Sequence, residues 1–220
     1  MSSIIGTIVD QEAKNLGLLL SDHQIQSFEL YAAELIKWNS KVNLTAITKD
    51  KEIAVKHFID SLSVVPYITV NDRLLDIGSG AGLPVIPLKI IRPEIPMVSV
   101  DAVAKKIHFQ RHILRILNMP DIEAIHARVE ALPKTYTGAF TVITSRAFTR
   151  LDHFVSLAAP LLAEGGVLIA MKGEGADSEI ASNDGIIRGV GFAVTSIQRY
   201  SLPCGMGERA LMFLKRFKSP

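Results

Sequence analysis

Residues 73–87 read RLLDIGSGAGLPVIP. An apolar pair, Leu74-Leu75, runs into an acid, Asp76, and glycines then alternate at Gly78, Gly80 and Gly82. Pro84 follows, and a mostly apolar segment continues to Ile91. The pattern predicts a buried strand, a glycine turn and a helix. Glycine accepts positive φ and lets a ligand come close to the backbone. Proline suits the first helical turn, where its missing N–H costs nothing. The stretch therefore predicts a strand-to-helix turn that holds a ligand at its tip.

Two cofactor classes use such a turn. A dinucleotide site prefers G-x-G-x-x-G, which seats a pyrophosphate on the helix N-terminus. Here the spacing is G-x-G-x-G, with an acid two residues before the first glycine. That looks like the first motif of S-adenosylmethionine-dependent methyltransferases. Their cofactor is a sulfonium with an amino-acid tail, so close backbone approach matters more than an anion site. Either glycine pattern alone is a weak signal, and a structural turn in any α/β domain stays open. A second signal sits one strand later. Met97-Val98-Ser99-Val100 ends at Asp101, about 20 residues beyond the glycines, where an acid reaches ribose hydroxyls. Asp101 also precedes a helical run, so a helix cap is the other role open to it.

At 220 residues, with hydrophobic residues at 48%, the chain suits one sizeable globular domain. No apolar run approaches the ~20 residues of a membrane helix, and the first residues do not read as a secretory signal. One cysteine, Cys204, excludes an internal disulfide and leaves too few thiols for a cysteine-based zinc site. A reducing cytoplasm, no metal and a monomer are the simplest expectations. Net charge is only +2, but its distribution is uneven. Residues 1–70 hold 6 Lys against 8 acids, residues 71–220 hold 18 Lys plus Arg against 14, and every arginine lies in the second part. Arginine suits bidentate phosphate and guanine contacts, which hints at nucleic acid; a solvated surface is the plainer explanation.

Along the chain, residues 8–20 form a mixed segment, helical up to Leu16. Ser21-Asp22 opens a helix to about Asn39, with Ile25, Phe28, Leu30, Ala32, Leu35 and Trp38 at helical spacing. Trp38 to Thr48 reads as a loop, with Asn39, Asn43 and Thr45 as turn formers. Asp50 is expected to cap a helix from Lys51 to about Val65, on which His57 and Asp60 share a face. From Arg73 strands and helices alternate, which predicts a mostly parallel sheet with helices on both faces. Strands are expected near 73–77, 97–101, 122–126, 140–145 and 166–171, and helices near 84–91, 104–118, 151–163 and 175–187. Two tail strands, about 191–200 and 208–216, would pair antiparallel at one edge. The only candidate boundary, Pro66 to Asp72, divides a helical extension (1–70) from the sheet domain (71–220).

Several polar groups fall at strand ends, where open α/β sheets bind ligands. The loop after the third strand offers Val129 and Glu130 to a purine. The fourth strand ends at Arg146 and the fifth at Lys172. Both cations are well placed for a site on that rim, or can serve as structural ion-pair partners. Lys105, Lys106, Arg111 and Arg115 share one helix with no acid between Ala102 and Pro120, which makes phosphate binding plausible. His57 and Arg209 complete the candidate set facing a substrate.

These residues together match a known family. The chain resembles the bacterial 16S ribosomal RNA guanine-N7 methyltransferases, also called glucose-inhibited division protein B. The carriers are WNSKVNLTAI at 38–47, KHFIDSL at 56–62, LLDIGSGAGLPVIPLKI at 74–90, DAVAKK at 101–106, ARVE at 127–130, SRAF at 145–148, MKG at 171–173 and GERALMFLKR at 207–216. The resemblance implies a class I methyltransferase fold, Rossmann-like, with a seven-stranded sheet. It implies S-adenosylmethionine as cofactor and, as target, one guanine of 16S rRNA near the decoding centre. Gly78, Leu83, Val129, Glu130 and Arg146 stand at the family's cofactor-contacting positions. Leu83 replaces a common aromatic, Val85 a common glycine and Ala210 a frequent histidine. A methyltransferase for a protein or small molecule, a nicotinamide-dependent oxidoreductase and a non-catalytic RNA-binding module are the alternatives. The glycine spacing counts against the oxidoreductase, and the retained Asp76, glycines and Asp101 count against an empty site.

Overall fold

A computed structural model describes residues 3–132 and 134–217. Helix α1 (Ile4–Asn15) is capped by Ser3, whose hydroxyl accepts from the Gly6 N–H. Helix α2 (Asp22–Val42) opens on a reciprocal cap between Ser21 and Gln24 and ends at Asn43, in the left-handed region at φ 47°. It therefore takes in the first part of the segment expected as loop. The next helix has ends α3 (Asp50–Glu52) and α4 (Asp60–Leu62) and a π-helical middle, Ile53–Ile59. Asp50 is its first residue, not its cap; Lys49 holds that position without a side-chain bond.

The sheet strands are β1 (Leu74–Ile77), β2 (Met97–Asp101), β3 (Ile122–His126), β4 (Phe140–Arg146), β5 (Leu162–Lys172), β6 (Phe192–Ser201) and β7 (Glu208–Arg216). Their order is β3-β2-β1-β4-β5-β7-β6, and β7 alone runs against the rest. The sequence expectation for all seven strands holds, with one revision. Strand β5 starts at Leu162 because Leu162 pairs with Phe140, which shortens α7 to Leu151–Ala158. The remaining helices are α5 (Val85–Ile91), α6 (Ala104–Ile116) and α8 (Ala176–Gly189).

Every residue of β1 and β2 is buried, as expected of central parallel strands covered on both faces. On one face α1, α2, the π-helical turn, α5 and α6 share a core that includes Phe28, Tyr31, Phe58 and Phe109. Trp38 joins it by packing on Phe109 and His112, so it is core and not an exposed stacking platform. Helices α7 and α8 cover the other face through Phe154, Val155 and Ile187. Strand order reverses between β1 and β4, and ligands collect outside the carboxyl ends of strands at such a point. No helix is long and apolar enough to cross a membrane among the described residues.

Candidate functional site

The glycine turn is held from three sides. The Tyr31 hydroxyl donates to the Ala81 carbonyl at 2.6 Å, which pins the loop to α2. Gln110 on α6 donates to Ser79 Oγ and the Gly80 carbonyl, both at 2.8 Å, and accepts from Ser99 Oγ at 2.7 Å. Asp101 Oδ2 accepts from the Gly80 N–H at 2.9 Å, and Asp101 Oδ1 accepts from the Val103 N–H at 2.8 Å. Asp101 thus ties the loop and the start of α6 together, although Val103 holds the cap position. Each carboxylate oxygen keeps further acceptor capacity.

The three glycines do different work. All have positive φ: 69° at Gly78, 59° at Gly80 and 92° at Gly82. A Cβ at Gly82 would lie 2.4 Å from Ile86 Cδ1, inside the core, while one at Gly80 would meet nothing nearer than the Gly78 carbonyl at 4.0 Å. A Cβ at Gly78 would lie 2.1 Å from Phe148 Cδ2. Gly78 and Phe148 line a hollow with Val100, Asp101, Ala102, Val129 and Glu130. Its volume is about 150 Å³, below the ~300 Å³ of ordinary small-molecule sites. Phe148 is 40% exposed and forms one wall of the hollow.

The donor set fits a nucleoside carrying an amino-acid tail. Asp101 and Glu130 offer carboxylates to a diol and a purine amino group. Behind them Asp76 is fully buried. Its Oδ1 accepts from the Thr144 hydroxyl at 3.1 Å, and its Oδ2 has no partner among the described residues. Burial pushes the Asp76 carboxyl well above the usual carboxylate range, against the pull of Thr144 and of the Val85 N–H, which is not placed to bond Oδ2. An unpartnered buried oxygen is expensive, and a ligand ammonium would satisfy it.

Across the Arg146–Phe148 loop lies a second, basic hollow of about 410 Å³, lined by Thr45, Lys56, His57, Asp60, Arg146, Lys172 and Arg209, among others. Arg146 Nη1 donates to the Lys56 carbonyl at 2.7 Å and to Asp60 Oδ2 at 3.1 Å, and Nη2 meets His57 Nδ1 at 3.1 Å. Asp60 Oδ1 accepts from the Tyr200 hydroxyl at 2.8 Å and lies 3.7 Å from Arg209 Nε. Lys172 Nζ donates to Glu179 at 2.7 Å and to the Thr149 carbonyl at 2.8 Å. Both strand-end cations therefore take part in ion pairs while facing the hollow.

Burial, and then the Arg146 charge, push His57 down to about 3. Its folded pKa lies below the unfolded 6.5, so between the two values the unfolded chain binds more protons and stability falls as pH falls. Melting curves at pH 7 and pH 5 should show a larger loss in the wild type than in His57→Gln; equal losses would remove His57 as the cause.

Half of the sixteen residues singled out from sequence line these two hollows: Gly78, Asp101, Val129 and Glu130 the first, and His57, Arg146, Lys172 and Arg209 the second. Lys105 and Lys106 stand in the first turn of α6, with Lys106 Nζ 3.8 Å from Asp101 Oδ2 at the first hollow. Leu83 and Val85 are buried and pack in the core under the turn. Ala210 is buried opposite Lys172 in β7. Arg111 and Arg115 fall elsewhere. They line a separate hollow with Ile122, the first residue of β3, because α6 runs against the strands and carries them to the opposite edge. Arg111 also donates twice to the Ala124 carbonyl. Sequence reasoning missed Phe148, Thr45 and Gln110 as site residues; SRAF at a strand end was the available signal for Phe148. Among the described residues no cluster of three His, Cys, Asp or Glu could hold a metal ion.

Comparison with known proteins identifies relatives of the whole chain. The family model described as rRNA small subunit methyltransferase G matches residues 24–210. A ribosomal RNA small subunit methyltransferase G of Geotalea uraniireducens (strain Rf4) is 45% identical over 204 residues, 93% of each chain. One of Geobacter sulfurreducens (strain ATCC 51573 / DSM 12127 / PCA) is 46% identical over 205 residues, 93% of this chain and 94% of the relative. Among solved structures, an Aquifex aeolicus SAM-dependent methyltransferase superposes with TM-score 0.60 at 12% identity, covering 78% of this chain and 96% of the other. A ribosomal protein L11 methylase of Lactobacillus delbrueckii subsp. bulgaricus gives 0.57 at 13%, covering 73% and 78%; at such identities the likeness concerns the fold alone. With a family match across most of its length and relatives of nearly equal extent, the chain belongs to the rRNA small subunit methyltransferase G family.

Proposed function

We propose that this chain is an S-adenosylmethionine-dependent methyltransferase that modifies N7 of one guanine in 16S rRNA. The observation that carries the reading is the pair of hollows on either side of Arg146–Phe148, in a chain 45% identical to a relative of that family. When bound, S-adenosylmethionine supplies an electrophilic methyl group. Asp76, Gly78, Asp101, Val129 and Glu130 would hold it, with Gly80, Gly82 and Leu83 shaping the turn.

Guanine N7 carries a free lone pair, so no proton has to leave before attack. The chain then needs no strong general base, and its task is to hold base and methyl in line at near-attack distance. Arg146, Lys172, Arg209 and Lys56 make the second hollow attractive to a phosphate or a guanine edge. Lys105 and Lys106 extend that charge along the rim, while Arg111 and Arg115 belong to a second contact at most. In this reading residues 1–70 are a helical extension on a methyltransferase unit of residues 71–220, and they contribute Thr45, Lys56 and His57 to the substrate side. An rRNA or small-subunit substrate fits a cytoplasmic enzyme.

The test is transfer of labelled methyl from S-adenosylmethionine to 16S rRNA, offered naked and as small subunits that lack the modification. The expected result is label at a single guanine, mapped by cleavage at N7-methylguanine. Cofactor binding with no label in either RNA would overturn the rRNA reading.

A further inference from the structure

Hydrogen-bond inventory around His57 assigns a free proton to the substrate hollow. Arg146 Nη2 lies 3.1 Å from His57 Nδ1. A guanidinium only donates, so Nδ1 is the acceptor and the ring proton sits on Nε2. His57 Nε2 lies 2.9 Å from Thr45 Oγ1 and therefore donates to it. The Ile47 N–H donates to the same oxygen at 3.0 Å. Two donors fill both lone pairs of a hydroxyl. Thr45 must then donate its own proton, and among the described residues it has no acceptor. Thr45 lines the basic hollow beside Arg146, Lys172 and Arg209.

The geometry points to Thr45 as the residue that donates to guanine O6 and so holds N7 in line, with Arg146 and His57 as the positioning residues that fix its hydroxyl. This deepens the methyl-transfer reading above and rests on it. Guanine presents N7 and O6 as neighbouring acceptors on one edge. An arginine fork on that edge bonds both and would occupy the lone pair that must attack. A single hydroxyl bonds O6 alone and leaves N7 free. Three contacts of the Arg146 fork already go to Lys56, Asp60 and His57, which turns a bidentate cation into the support of a single donor. The π-helical winding of Ile53–Ile59 sets the turn that carries His57 into this position, and such turns recur at functional sites.

Thr45→Val keeps the shape and removes the hydroxyl, while Thr45→Ser keeps the donor. Each full-length variant is assayed on unmodified small subunits, alongside its melting temperature and its affinity for S-adenosylmethionine. Expected for Thr45→Val is a fall in kcat of about 10- to 100-fold, the scale on which misplacement of a reacting group acts, with cofactor affinity unchanged. Thr45→Ser should stay within about threefold of wild type, since its hydroxyl can make the same bond. Subunits reconstituted with 2-aminopurine at the target, which keeps N7 and lacks O6, should slow the wild type as much as Thr45→Val slows on guanine. Thr45→Val should lose nothing further on that substrate, because the two changes delete one interaction. Wild-type rates from Thr45→Val would overturn the proposal and leave the function standing. Equal losses in Val and Ser variants, in step with melting temperature, would also overturn it in favour of a structural role. A wild type that methylates no rRNA would overturn the function, and the proposal with it.

Discussion

Gly78→Arg should lose S-adenosylmethionine binding, at least 100-fold in Kd, in a protein that remains folded. Gly78 is the glycine whose missing side chain borders the hollow proposed for the cofactor, since its Cβ position is covered by the Phe148 ring and Asp101 and Val129 line the same space. A long side chain there competes directly with the ligand. The fold should tolerate it for two reasons. The obstructing group is the end of a half-exposed Phe148, which can turn outward. The backbone penalty of a side chain at φ 69° is about 1–2 kcal/mol, worth roughly 2–8 °C of melting temperature in a chain of this size. Gly82 supplies the contrast. A Cβ there strikes Ile86, so Gly82→Ala should lower the melting temperature before any change in binding. Calorimetric titration and thermal melts on both variants read the two effects separately. Unchanged cofactor affinity in folded Gly78→Arg would remove the glycine turn from the site.

The division of labour among these glycines shows what a sequence can and cannot convey. Strand-turn-helix was legible at residues 73–91 because local patterns specify it: an apolar run, glycines and a proline. Asp101 was legible from its distance to the turn. Which glycine faces ligand was not, because that depends on Phe148, which is 70 residues away and arrives from β4. The same limit applies to α6. Its run of cations was visible, but strand direction sends Lys105 and Lys106 to the rim and Arg111 and Arg115 to the far edge. Thr45 read as a turn former, and its side chain does bond to the Ile47 N–H two residues on. Its second partner, His57, comes from a helix wound as a π turn, which residue periodicity does not signal.

Under the proposed function Arg146 serves both the substrate side and the fold, and its removal should carry a double cost. Arg146→Ala is expected to lower stability by about 3 kcal/mol and turnover by more than that loss explains. Breaking a buried ion pair costs about 3–5 kcal/mol because the surviving charge is left without compensation. Here that charge is Asp60, whose side chain is 5% exposed. The lower end of the range applies, because the Tyr200 hydroxyl and Arg209 still face Asp60. At roughly 2–4 °C per kcal/mol the melting temperature should fall by about 6–12 °C. The Lys56 carbonyl loses its donor as well, and His57 loses the group that fixes its tautomer, so the Thr45 hydroxyl is no longer aimed. Adding Asp60→Asn tests the energetic half. A neutral amide has no stranded charge, so the double variant should be less destabilised than the sum of the singles. Arg146→Lys isolates the geometric half: it restores charge beside Asp60 but cannot reproduce the planar fork, so stability should recover further than kcat. An Arg146→Ala protein that melts with the wild type would show that Asp60 does not depend on this pair, and would leave Arg146 with a role at the substrate alone.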